Sequence, residues 1–343
     1  MKLKRTLSAI LAAGMLTMLA VGCGSQSGAA STSAPAAASG SAAASGSGDQ
    51  WPTRGISLVV PFKAGGDTDY YARLYAQYLE QELGVSVTVV NTEGAGGSVG
   101  AESVASAEPD GYTMLFYHTG NLYANKMMEV SELDQNSFEV ACIGEIDDTN
   151  TLVARKSLGF NSAEEFIAAA KADPGKYSCA VTISGFSNFT RCLLEDAAGI
   201  NLNAVDKGGA SDMIPALLGD QLDTGINSYG VFKQYVDDGS IVPLVTYGEE
   251  RSEFFPDVPT AKEPGYDISA ARAYFFAFPK GTDSAICQKL SDAVANIQNN
   301  EDYCKSVSET YCVTPQFVPY GEVMDKMDSI WATMEPYTDM LNG

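Results

Sequence analysis

The 343-residue chain carries 43 Asp and Glu against 21 Lys and Arg, a formal charge of −22 at pH 7, in a sequence that is 45% hydrophobic. Such an excess of acid excludes nucleic acid and anionic lipid surfaces as partners, since both repel it. A single histidine, and seven cysteines with no C-x-x-C pair, exclude a zinc cluster, so neither metal nor cofactor is expected.

In chain order, residues 1–23 are an address rather than part of the fold. Lys2, Lys4 and Arg5 precede an uncharged apolar stretch over 7–21, the pattern of a secretory signal. It closes on Leu19-Ala20-Val21-Gly22-Cys23, a lipobox with Cys23 as the acylated residue, although Ala20 stands where leucine is commoner. Residues 24–50 are almost entirely Ser, Ala and Gly and cannot bury enough surface to fold; as a flexible tether they span roughly 30 Å. The expected product is extracytoplasmic and touches the membrane through its lipid alone.

The body, from Trp51, alternates strands and helices. Residues 56–60 form an apolar strand, followed by the turn Ala64-Gly65-Gly66-Asp67-Thr68-Asp69. Tyr71, Leu74, Tyr75, Tyr78 and Leu79 then lie on one helical face, with Thr68 as the expected N-cap and Asp69 in the first turn. A strand over 85–90 leads into Gly94-Ala95-Gly96-Gly97 and a helix over 99–107. The strand 113–117 runs out into His118-Thr119-Gly120-Asn121. Extended segments at 138–146 and 151–155 precede a second series: helix 163–172, strand 178–183, the turn Ser184–Asn188, helix 190–198, strand 202–205, the turn Lys207–Ser211 and helix 212–218. Strands at 222–226, 242–247 and 273–278 and helices at 284–299 and 320–341 complete the set. This alternation predicts an α/β protein with parallel sheets covered by helices on both faces. Ligands of such sheets bind at the carboxyl ends of the strands, where these turns lie.

Both glycine-rich turns open helices, and helix starts carry unpaired N–H groups and positive dipole ends that suit an anion. Gly96-Gly97-Ser98-Val99-Gly100 also matches the G-x-S-x-G elbow of serine hydrolases, but the only histidine available as a base is His118, twenty residues on, too near for that fold's order of residues. The glycines fit a dinucleotide fingerprint poorly, because they follow the second strand. Asp67, Asp69, Asp147 and Asp148 lack calcium-loop spacing and are expected as caps or solvated acids. The six body cysteines are either free thiols or partly paired, with Cys304 and Cys312 the sequence-local candidates.

Taken together, the body resembles the extracytoplasmic solute receptors of tripartite tricarboxylate transporters, the Bug receptors. The resemblance runs in order through Trp51-Pro52-x-Arg54, Val59-Val60-Pro61-Phe62, Ala64-Gly65-Gly66-x-Thr68-Asp69, Gly94-Ala95-Gly96-Gly97, Pro109-Asp110-Gly111-Tyr112-Thr113, Asp173-Pro174-Gly175-Lys176, Leu217-Leu218-Gly219-Asp220-Gln221-Leu222-Asp223, Pro256-Asp257-Val258-Pro259-Thr260 and Pro279-x-Gly281-Thr282. It implies a type II periplasmic-binding-protein fold, two α/β lobes around a hinged cleft, with 51–151 plus 272–343 as lobe 1 and 152–271 as lobe 2. It implies a binding protein, not an enzyme: a monomer that captures a small carboxylate (a di- or tricarboxylate, an amino acid or an aromatic acid) and delivers it to a two-subunit membrane permease. The expected ligand contacts are Phe62, Ala64, Gly65, Gly66, Asp67, Thr68 and Asp69 in one jaw, with His118 and Thr119. Gly185, Ser187, Asn188, Lys207, Gly208 and Asn227 would face them. Asp67 departs from the small residue usual there and suggests a ligand with a cationic group. The rivals are a receptor that presents its ligand to a sensor kinase and an exported hydrolase using Ser98 and His118.

Overall fold

In a computed structural model, which describes residues 50–342, the apolar runs become two five-stranded sheets. The leader, Cys23 and the tether lie outside the described residues. The first sheet joins β1 (Ile56–Val60), β2 (Val87–Asn91), β3 (Thr113–His118), β4 (Phe138–Asp147) and β10 (Arg272–Pro279) in the order β2-β1-β3-β10-β4. The second joins β5 (Asn150–Arg155), β6 (Ser178–Val181), β7 (Asn203–Asp206), β8 (Thr224–Ser228) and β9 (Ile241–Thr246) in the order β7-β6-β8-β5-β9. The described residues form one compact unit.

The sheets are mixed rather than parallel. β1 runs parallel to β2 and β3, and β6 to β7 and β8, but β10 is antiparallel to β3 and β4, and β5 to β8 and β9. The two reversed strands follow the segments on which the chain crosses between sheets, at Asp148-Thr149 and again at 247–271. Direction is a property of the connection, which no local sequence pattern encodes.

The α-helices of the described residues are α1 (Asp67–Leu83), α2 (Ser98–Ala105), α3 (Thr119–Met127), α4 (Ala163–Ala172), α5 (Phe186–Ala198), α6 (Ala210–Leu218), α7 (Tyr229–Asp237), α8 (Ser284–Gln298), α9 (Glu301–Tyr311), α10 (Val323–Met334) and α11 (Thr338–Asn342). Along α1, Tyr71, Tyr75 and Leu79 are fully buried, packed in one core with Leu58 and Val60 of β1 and Leu290 and Val294 of α8. Each such side chain contributes about 1.5–3 kcal/mol on burial. α1 starts one residue before the expected cap: Gly66, with extended backbone, is its N-cap, and Asp67 and Asp69 both fall in the first turn. Gly84 stops it in the left-handed conformation (φ 70°), which glycine adopts without a Cβ penalty.

A second core is continuous between the sheets, joining Leu115 and Tyr117 of β3 and Phe275 of β10 to Leu152 of β5, Val181 of β6 and Phe186 of α5. All six body cysteines are free thiols; Cys304 and Cys312 are not joined, and the Cys304 thiol contacts the Gln298 carbonyl at 3.2 Å. No described helix is long and apolar enough to cross a membrane.

Candidate functional site

The loops that follow β1, β2 and β3 in one sheet and β6, β7 and β8 in the other line a shared cleft of about 620 Å³. From the first lobe come Phe62, Lys63 and Gly66–Thr68, the turn Glu93–Gly97, and His118 with Asn121. From the second come Thr182–Ser184, Ser187, Asp206, Gly208–Asp212 and Asn227; Arg272 opens β10 between them. The starts of α1, α5 and α6 are all in the lining, so three positive dipole ends act on the cleft's contents.

Of the residues expected from the sequence, Phe62, Gly66, Asp67, Thr68, His118, Ser187, Gly208 and Asn227 lie in this lining. Ala64, Gly65, Asp69, Thr119, Gly185, Asn188 and Lys207 do not, and most of them support the fold instead. Asp69 turns away to hold the Gly65 amide at 2.9 Å, Arg73 Nε at 2.9 Å and Asn91 Nδ2 at 2.9 Å. Arg73 also holds its carboxyl below the usual range against the opposing pull of burial. The Thr119 hydroxyl accepts from the Ala273 amide (3.0 Å), and Asn188 Oδ1 from Arg191 Nε (2.9 Å). Lys207 borders a separate surface hollow with Pro215 and Gln221.

The residue that sequence reasoning missed is Arg272. Because β10 runs antiparallel to β3, its first residues sit beside the last residues of β3, with Tyr274 opposite His118. A rule that looks only at carboxyl ends of strands passes over it. Arg272 is 5% exposed and reaches Asp67 Oδ2 at 2.6 Å, Asp147 Oδ2 at 3.3 Å, Asn227 Oδ1 at 3.2 Å and the Ser228 hydroxyl, all through Nη2; Nε is buried without a partner. An arginine opening the apolar strand Ala273-Tyr274-Phe275-Phe276 was the available signal, for a buried charge needs a partner. Asp147 is itself saturated, accepting from the Thr149 amide (2.8 Å) and hydroxyl (2.7 Å) and from the Ser228 hydroxyl. The guanidinium thus ties the first lobe to β8 of the second.

This pairing changes the reading of Asp67. Its carboxylate accepts from the Tyr274 hydroxyl at 2.7 Å and meets Arg272, so the cation beside it is the protein's own and no ligand cation is needed to neutralise it. Burial alone would push its carboxyl up, but Arg272 and the Tyr274 hydroxyl draw it below the ordinary value. His118 stacks on Phe62 with ring centroids 5.4 Å apart and accepts the Asn121 amide at Nδ1 (3.2 Å), which leaves its proton on Nε2. Burial, then the neighbouring Arg272, lowers its pKa to about 3 despite Asp67, so the ring is neutral. Ser98 is buried and its hydroxyl has no partner among the described residues, so it forms no relay with His118.

The lobes touch across the cleft. Asn121 Oδ1 accepts the Phe186 amide (2.9 Å), and Lys63 meets Asp212 at 2.8 Å. At Gly120 a Cβ would lie 2.6 Å from the Phe186 ring, while the backbone there is ordinary for any residue. Gly120→Val is therefore expected to hold the lobes apart, enlarging the radius of gyration in small-angle scattering and removing any compaction on adding ligand. An unchanged scattering profile would mean that Phe186 yields.

A family model described as the tripartite tricarboxylate transporter family receptor matches residues 71–316. The chain belongs to this receptor family. The receptor is 31% identical over 249 residues to Protein BugT of Bordetella pertussis, covering 71% of this chain and 76% of that one. It superposes on the periplasmic binding protein BugD with a TM-score of 0.78 at 26% identity, over 84% of this chain and 98% of that chain. It superposes on Rpa4515 of R. palustris, solved with adipate, with a TM-score of 0.80 at 25% identity, over 85% and 98%. The receptor thus has the type II periplasmic-binding fold of two α/β lobes and is an extracytoplasmic solute-binding protein rather than an enzyme.

Proposed function

We propose that this receptor captures a small carboxylate in the interlobe cleft, closes on it as a monomer, and delivers it to the permease subunits of a tripartite transporter while lipid on Cys23 holds it at the membrane. Residues 51–151 with 272–343 act as one jaw and 152–271 as the other. The observation that carries the reading is the cleft itself, walled by strand-end loops of both sheets, with the starts of α1, α5 and α6 in its lining. Gly66, Thr68, Ser187, Gly208 and Asn227, all in the cleft lining, would hold the bound acid, and a relative solved with adipate supports the ligand class. Closure by contacts to both jaws is a population shift toward the ligand-filled state.

The test is the melting temperature of residues 46–343, unfolded and refolded to strip any co-purified ligand, against carboxylic and amino acids. A ligand at 100 times its dissociation constant should stabilise the protein by about 2.7 kcal/mol. A panel of such acids that leaves the melting temperature unmoved would remove the proposal.

A further inference from the structure

Each cation that lines the cleft is already held by two carboxylates. Lys63 sits between Asp212 at 2.8 Å and Glu93 at 3.8 Å on the rim, and Arg272 between Asp67 at 2.6 Å and Asp147 at 3.3 Å on the floor. Asp206, also in the lining, has no cation partner among the described residues and accepts the Gly208 amide at 3.1 Å. His118 adds no positive charge. A ligand with two carboxylates, like the adipate held by the relative from R. palustris, would therefore set one of them against the excess negative charge of Asp206 and the Glu93–Lys63–Asp212 rim. One carboxylate still has a place. Arg272 Nε is nine-tenths buried with its residue and has no partner among the described residues, and Arg272 touches the first residues of α1 and α5, Asp67 and Phe186.

We infer that the cleft selects a ligand bearing one ammonium group as well as a carboxylate, an amino acid, and discriminates against dicarboxylates. The carboxylate lies toward Arg272 and the helix starts; the ammonium lies toward Asp206 and the Glu93–Lys63–Asp212 rim. Asp67 acts in this not by touching the ammonium but by cancelling Arg272. The inference rests on the receptor reading above and narrows its ligand class.

Isothermal titration of the refolded protein decides it, with the standard amino acids, adipate, malate and simple alkylamines as probes. The expected result is an amino acid bound at least tenfold more tightly than either dicarboxylate. In the exposed-rim variant Glu93→Gln with Asp212→Asn, which frees Lys63, adipate or malate should gain about tenfold while the amino acid weakens. Dicarboxylates binding as tightly as any amino acid, or no gain for them in the variant, would overturn the charge selection yet leave the receptor reading standing. Alkylamines binding in place of amino acids would also overturn it, by removing the role of the carboxylate. Failure of every probe would overturn both.

Discussion

Replacing Arg272 by methionine is expected to cost about 3–5 kcal/mol of stability at pH 7, because it strands two buried carboxylates rather than deleting one contact. Asp147 is fully buried and Asp67 is 9% exposed. Asp147 would keep its bonds from Thr149 and Ser228, and Asp67 its bond from Tyr274, but neither would have a counter-charge. In the wild type, Asp67 is held below its ordinary pKa, so its contribution is present above the unfolded value and is lost as pH falls through the folded one. Without Arg272 the burial that already pushes it upward prevails. Its folded pKa then lies above the unfolded value, and its contribution is present at low pH and lost as pH rises. The variant should therefore regain stability on acidification over the range in which the wild type loses this contribution. Urea midpoints of both proteins between pH 3 and 8, with unchanged m-values, read this directly. Adding Asp67→Asn to Arg272→Met should recover part of the loss, since the two residues form one interacting unit. A loss below about 1 kcal/mol for Arg272→Met, the scale of exposed pairs, would show that water reaches the guanidinium.

The Asp67–Arg272 pair also marks where the sequence stops being readable. Strands such as Ile56–Val60 and the amphipathic face of α1 were legible because burial repeats at a fixed spacing. The sequence over α3 reads as the end of a strand running into a loop. Thr119 through Asn125 are all buried, so no polar face marks a helical period. α7 and α9 were missed as well, and α5 begins at Phe186, four residues before the expected Thr190. The cleft's position followed from the strand-end rule and from the family resemblance, while its charge balance did not. Asp67 stood out as unusual, but its partner lies 205 positions away on a strand whose reversed direction alone brings it to the same edge. Pairings of that kind belong to the topology, and composition cannot report them.

The same topology buries one further acid, and it sets the expected pH response of the wild type. Glu145 lies on β4 opposite Tyr274 and is fully buried. One carboxylate oxygen accepts from the Tyr303 hydroxyl and from Gln298 Nε2 at 3.1 Å, and the other has no partner. Burial raises its pKa to about 7; bonds from Tyr303 and Gln298 oppose the rise, and Asp147 adds to it. Its folded pKa exceeds the unfolded value, so its contribution is full below the unfolded pKa and is lost as pH climbs through about 7. Across that window the loss is on the order of 3 kcal/mol. Glu145→Gln keeps an acceptor for Tyr303 and Gln298 and removes the titration. Its uncharged amide stands where the acid carries its proton, so at pH 5 the variant should match the wild type or fall slightly below it, one buried amide being left without an acceptor. At pH 8.5 it should be the more stable of the two, with a melting temperature several degrees higher. Parallel stability curves for the two proteins from pH 5 to 8.5 would show that Glu145 ionises normally and that water enters between β4 and α9.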